Sequence, residues 1–237
     1  MPAKPAPASA RTTKAAPPVR YRTFADVLAR VGNVPAERIL SYPAAGTATV
    51  QDLLDPLVTA GRMCELVDGI LVEKTMGYRE GRLGLWIGSL LNFYLVTNNI
   101  GCAAGPEGMI RFNINVVRSP DVSFIRWDSV DDPGEIENPA GACLEYPPDF
   151  VIEVLSPGNT PEEMAIKLAE YAKAGVKLVW YVDPVRQEVD VYQKSRVRGK
   201  KTVGIDGTLD GGAVLPGFAL PVAKIFEKRA PAKKKQK

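Results

Sequence analysis

The chain has 237 residues, 46% of them hydrophobic and 24% charged, with no histidine. The balance is ordinary for a globular protein, and no apolar run approaches the ~20 residues that span a bilayer. Without an imidazole, Ser-His-Asp and Cys-His hydrolases, HNH-type nucleases and His-ligated zinc enzymes are excluded.

The formal charge of +3 hides an asymmetry. Residues 1–20 and 228–237 carry ten of the 30 Lys and Arg and no acid, which leaves 20 bases against 27 acids between them. Both ends are Pro/Ala/Lys-rich and cannot bury a core, so 1–22 and 228–237 are predicted to be disordered arms around a single domain, 23–227. Basic arms of this kind attract polyanions such as nucleic acid, with plain solubilising ends as the alternative. The N-terminus, MPAKPAPASARTTKAAPPVR, has no apolar segment of the secretory type, so the cytoplasm is the expected compartment. Cys64, Cys102 and Cys143 form no C-x-x-C pair, which excludes a zinc ribbon or thioredoxin-type site and leaves them as small reduced hydrophobes.

In chain order, FADVLARVG (24–32) and VPAERIL (34–40) read as short helices, and TVQDLLDPLVTAG (49–61) as a third, interrupted by Pro56. CELVDGILVEKTM (64–76) reads as a hairpin turning on Asp68-Gly69. Over 79–97, Leu83, Ile87, Leu90, Leu91 and Tyr94 recur at helical spacing. Strands are predicted at GMIRFNINV (108–116) and PDVSFIRW (120–127), then a Gly/Pro/acid-rich loop over 128–146. The aromatic residues Trp86, Phe93, Tyr94 and Trp180 fall on apolar stripes and read as core, and Glu65, Asp68 and Glu107 as hairpin and turn surface.

Residues 147–184 are the most legible stretch. FVIEVLS is a near-continuous apolar strand, as a strand covered on both faces should be. Thr160, Pro161 and Glu163 supply an N-cap, a proline at N1 and a capping-box acid, Met164, Leu168, Tyr171 and Ala172 form the inward stripe, and Gly175 ends the helix. VKLVWYVDP is a second strand, so the unit fits a parallel crossover. EVDVYQK (188–194) and the segment GGAVLPGFALPVAKIF close the domain. The fold class is α/β, with a central mixed sheet flanked by helices.

Glu153 lies inside the buried strand, where an unpaired carboxylate costs several kcal/mol unless it is paired, hydrogen-bonded or metal-bound. Asp149, four residues back on the same strand, is about 13 Å away, too far for one ion to bridge. Asp121 begins another strand, and neighbouring strands lie only ~5 Å apart, so Asp121 and Glu153 make the better pair. Two carboxylates with carbonyls and waters suit Mg²⁺ or Mn²⁺ rather than zinc. Lys167, on the helix that follows, would offset charge on a phosphate and handle the attacking water, a pattern for metal-assisted phosphodiester hydrolysis. The bland alternative for Lys167 is an exposed i, i+4 pair with Glu163. Tyr171 reads as packing.

The pattern resembles the restriction-endonuclease-like superfamily and its PD-(D/E)-x-K core, and within it the Uma-two family, whose members are read as endonucleases. The resemblance covers roughly 62–227 and rests on ELVDGILV, the long helix after it, RSPDVSFIRW, the stretch from PPDFVIEVLSPGNTP to WYVDP, and LPGFALPVAKIF. It implies Asp121 and Glu153 as metal ligands. The lysine expected two residues after the glutamate is Leu155 here, which points to Lys167 as its relocated equivalent. Many members carry a histidine early in the long helix, where this chain has Glu80. A carboxylate there implies a third acid, as metal ligand and catalytic residue. The implied activity is Mg²⁺- or Mn²⁺-dependent cleavage of DNA, with a two-fold homodimer as the natural form for cutting both strands. Two alternatives stay open, a DNA-associated or partner-binding module that keeps the fold without cleaving, and a carboxylate-metal hydrolase of nucleotides.

Overall fold

A computed structural model describes residues 18–75, 77–194 and 199–227. The predicted arms fall outside the described residues, apart from 18–22, which carry neither helix nor strand. Thr23 and Asp26 form a reciprocal capping box at the start of α1 (Phe24–Val31). The helix expected over 34–40 is only a 3₁₀ turn, Ala36–Arg38. Pro56 does divide the next helix, into α2 (Val50–Leu54) and α3 (Pro56–Thr59). Strands β1 (Cys64–Val67) and β2 (Ile70–Glu73) form the hairpin. Asp68 and Gly69 both take positive φ, as a two-residue hairpin turn requires.

The long helix α4 spans Tyr78–Thr97 and is followed by β3 (Gly101–Ala104), a strand too short and weakly patterned to read in advance. The predicted strand over 108–116 is two strands, β4 (Ile110–Asn113) and β5 (Val116–Arg118), paired antiparallel around a turn in which Asn113 Oδ1 accepts from the Asn115 N–H. Then come β6 (Val122–Arg126), α5 (Gly134–Glu137) inside the predicted loop, β7 (Phe150–Val154), α6 (Pro161–Ala174), β8 (Leu178–Asp183) and β9 (Glu188–Gln193). The chain closes with β10 (Lys201–Val203), β11 (Thr208–Asp210), β12 (Ala219–Pro221) and α7 (Val222–Phe226).

The central sheet is mixed, with strand order β10-β9-β8-β7-β6-β3 and one parallel pair, β7 with β8, joined by α6. Alternation along β7 divides its side chains between two cores. Phe150, Ile152 and Val154 face Leu83, Ile87 and Leu91 of α4 and Ile225 of α7. Val151 lies on the other face with Met164, Leu168 and Tyr171 of α6, and Glu153, two residues on, shares that side. A second, antiparallel sheet, β2-β1-β5-β4, packs beyond α6 through Ile110, Phe112 and Val116. Among the described residues, no helix is long and apolar enough to cross a membrane.

Two aromatic residues read as core are not. Phe93 is 68% exposed, because it lies on the side of α4 opposite the buried Leu83, Ile87 and Leu91. Trp86 is half-buried and donates its indole N–H to the Lys224 carbonyl. Tyr94 and Trp180 do pack inward, each against Phe218.

Candidate active site

The register of the central sheet places the first acid. Val122 pairs with Ile152 across the antiparallel β6 and β7, and continuing by one residue sets Asp121 opposite Glu153. Asp121 Oδ2 accepts from the Val154 N–H at 2.7 Å, which ties the carboxylate to the end of β7. Its Oδ1 pairs with Lys74 Nζ at 2.7 Å, and the same ammonium donates to the Ser119 carbonyl at 2.5 Å.

Glu153 is buried on the α6 side of the sheet. Its Oε1 accepts from Lys167 Nζ at 3.2 Å and from the Tyr171 hydroxyl at 2.5 Å. Among the described residues, the hydrogen bonds to this carboxylate all end on Oε1, and none reaches Oε2. Thr160 caps α6 and Pro161 opens it, so Lys167 and Tyr171, one turn apart, face the same carboxylate. Lys167 is only 3% exposed and makes no surface pair with Glu163. Glu163 instead accepts from both terminal guanidinium nitrogens of Arg38, at 2.7 and 3.0 Å, and from the Asn159 amide at 3.0 Å. Its capping role is therefore half of the predicted one. Its N–H bonds Thr160, while its carboxylate goes elsewhere.

Glu65, read as hairpin surface, is buried at 1% exposure and belongs to this cluster. Its Oε1 accepts from Lys167 Nζ at 3.2 Å and the Ser119 N–H at 3.1 Å, and its Oε2 from Arg118 at 2.8 Å. Arg118 continues to Glu170, and Glu170 to Arg30 and on to Asp68, a chain of alternating charges from site to hairpin turn. Tyr171, read as packing, is both buried and a donor to the site. Asp149 serves local structure, binding the Arg126 N–H, Ser129 and Lys177, and Glu107 is exposed as expected.

A cleft of about 140 Å³ opens over these residues, and Lys74, Glu80, Asp121, Glu153 and Lys167 all line it. The four predicted site residues thus share one concavity. Glu80 stands apart from the other acids, since a Cβ at Gly77 would lie 2.1 Å from its Oε2, so the carboxylate folds over the start of its own helix. Among the described residues, no three acidic or cysteine side chains converge tightly enough to enclose an ion. The oxygen-only donors of Asp121 and Glu153, one with a free Oε2, nevertheless suit a hard divalent cation.

Burial and charge set the protonation states. Burial pushes the Glu153 carboxyl above the usual range against the pull of Lys167 and Lys74, and the charges on Asp121 and Glu65 add to the push. Burial also opposes ionisation of Glu65, but Lys167, Arg118 and Lys74 outweigh it and hold that carboxyl at about 2. Burial disfavours charge on Lys167, yet Glu153 and Glu65 keep its ammonium protonated beyond the ordinary lysine range. Burial holds the Tyr171 phenol well above its ordinary value, so it is a donor.

Sequence reasoning missed Lys74 and Glu65. The signal for both was the one that found Glu153, an ionisable residue in or beside an apolar strand, CELV and ILVEK. Neither sequence neighbourhood names the partner.

The family model described as "Uma2: Putative restriction endonuclease" matches residues 50–223. A crystal structure of "a putative nuclease belonging to DUF820" from Anabaena variabilis superposes with a TM-score of 0.60 at 20% identity, covering 69% of this chain and 89% of that one. At that identity the likeness is one of fold. No curated protein matches the chain.

Proposed function

This chain belongs to the Uma2 family, and from that premise we propose that it is a divalent-metal-dependent endonuclease that hydrolyses phosphodiester bonds of DNA. The observation that carries this reading is the meeting of Asp121 and Glu153 across the β6–β7 pair in one cleft, with no described residue hydrogen-bonded to the Glu153 Oε2. Those two carboxylates would hold Mg²⁺ or Mn²⁺, and Glu80 on the cleft wall would reach it through water. When bound, the ion polarises the scissile phosphate and lowers the pKa of the attacking water.

The chain's own residues do the positioning. Lys167 and Tyr171 grip one oxygen of Glu153, a residue of the cleft lining, and leave the other without a donor among the described residues. Lys167 stays charged between two carboxylates, so it acts as the electrostatic counterpart of the lysine missing at Leu155 rather than as a free base. Arg38 ties the carbonyls of Glu73 and Gly158, on either side of the cleft, to Glu163. A two-fold dimer would offer two clefts to the two strands of a duplex.

The non-cleaving reading has one observation in its favour, the cation already sitting on each carboxylate. Plasmid nicking with Mn²⁺ separates the two. The wild type should relax supercoiled DNA while Asp121→Ala and Glu153→Ala should not. An inactive wild type that melts at the same temperature with and without millimolar Mn²⁺ would favour the binding module, because a ligand of the native state must stabilise it.

A further inference from the structure

Two lysines reach the acids of this cleft, and they are held differently. Lys167 is enclosed, with Nζ at 3.2 Å from both Glu65 and Glu153. Among the described residues Lys74 has one carboxylate within ion-pair distance, Asp121, and a neutral partner, the Ser119 carbonyl, while Glu153 and Glu65 feel its charge from farther off. We propose that Lys74 is a further residue of the site, one that occupies Asp121 while no divalent ion is bound, yields that oxygen when one binds, and then presents its ammonium to the substrate phosphate. The inference rests on the reading of Asp121 and Glu153 as ligands.

The geometry carries it in three steps. Asp121 Oδ2 is committed to a backbone donor, the Val154 N–H, whose position β7 fixes. The oxygen left for an ion is Oδ1, where the Lys74 ammonium now sits at 2.7 Å. An ammonium and a dication on one oxygen repel strongly in a half-buried cleft, so the two occupants compete.

Displacement need not send Lys74 away. The chain on both sides of it is pinned, with the Lys74 N–H donating to the Met63 carbonyl at 2.8 Å, Arg38 donating to the Glu73 carbonyl at 2.8 Å, and the Thr75 side-chain oxygen accepting from the Ser156 hydroxyl at 2.7 Å. The Ser119 carbonyl, at 2.5 Å, holds the ammonium at the cleft wall with donors to spare. Freed from Asp121, a cation at that place neutralises charge that builds on a phosphate during cleavage. Lys167 cannot take this part without leaving the buried Glu153 with no ion-pair partner among the described residues and Glu65 with Arg118 alone.

The test uses the full chain and Mn²⁺, first without DNA. Calorimetric titration should show Lys74→Met binding Mn²⁺ at least about tenfold more tightly than wild type, because a close opposite charge shifts a carboxylate's affinity for cations by that order. Lys74→Arg, which keeps a cation, should bind no more tightly than wild type. With Mn²⁺ saturating, Lys74→Met should nick plasmid at least about tenfold more slowly, and Lys74→Arg should recover part of the rate. Equal or weaker Mn²⁺ affinity in Lys74→Met overturns the proposal and leaves Asp121 and Glu153 as ligands. Tighter binding with an unchanged saturated rate overturns the role toward phosphate. Should wild type and Lys74→Met bind Mn²⁺ no better than Asp121→Asn, the metal reading falls with it. Lys74→Gln repeats the comparison if circular dichroism shows the methionine variant unfolded.

Discussion

Two buried glutamates share one lysine, and the environment gives them opposite preferences. Burial raises the Glu153 carboxyl above the usual range, so the ionised form is held there at a cost, whereas three cations hold Glu65 at about 2. Neutralising each should therefore differ in stability. Glu153→Gln keeps an acceptor for Tyr171 and leaves Lys167 its pair with Glu65, so it should melt within about 3 °C of wild type while losing all nicking with Mn²⁺. Glu65→Gln removes a counter-charge that Lys167 and Arg118 both use, and should cost about 3 kcal/mol by linkage, or roughly 6–12 °C in a chain of this size. If thermal melts rank the two the other way, the assignment of charge within the cluster is wrong. The same linkage fixes a pH window. A carboxyl depressed from 4.5 to about 2 in the native state contributes stability that is fully present above 4.5 and is lost as pH falls toward 2. Acid titration of wild type should show that loss, and Glu65→Gln should show less of it over the same range.

The β1–β2 hairpin delivers both Glu65 and Lys74 to the site, where both bond Ser119, and its turn is held against a neighbouring loop. Gly69 takes φ +77, a Cβ there would lie 2.3 Å from the Gly46 carbonyl carbon, and its own carbonyl accepts from Gly46 and Ala48. Gly69→Ala should therefore destabilise by about 2 kcal/mol or more, since both the backbone conformation and the space are denied to a methyl group. Chemical denaturation reads it directly, and an unchanged midpoint would mean that the hairpin moves freely of that loop. This element also shows what the sequence could and could not tell. The turn was legible from Asp68-Gly69, the crossover from its apolar strands and the cap at Thr160, and α4 from its inward stripe, because each signal is local. The faces that meet across the fold were not. Glu65 contacts Lys167 at a separation of 102 residues, and Lys74 reaches a carbonyl 45 residues on. Nothing in CELV or ILVEK distinguishes a buried charge with such a partner from one that faces water. Phe93 failed for the reverse reason, since an aromatic residue on a helix reads as core until the packed side is known.

At the scale of the whole chain, charge is distributed against the body. The ten Lys and Arg of residues 1–20 and 228–237 stand beside an acidic middle of 20 bases and 27 acids. Within the described cleft, the cations are committed, Lys74 to Asp121, Lys167 to Glu65 and Glu153, Arg38 to Glu163. A DNA backbone approaching the cleft would thus meet paired charges there, on a body whose net balance is acidic, so long-range attraction is expected from the ends. Phosphate neutralisation releases counterions, and the logarithm of affinity falls with the logarithm of salt by about 0.9 for each phosphate engaged on a duplex. Deleting 1–20 and 228–237 should then weaken duplex binding at low salt and flatten the slope by several units, up to about nine if every tail charge engages a phosphate. The Mn²⁺ affinity of Asp121 and Glu153 should not change, because both lie within the folded body. Fluorescence anisotropy with one duplex across a salt series, with Mn²⁺ titrated in parallel, measures both quantities. Equal slopes for trimmed and full-length protein would retire the tails as binding arms, and DNA would then have to be drawn in by the body despite its negative balance.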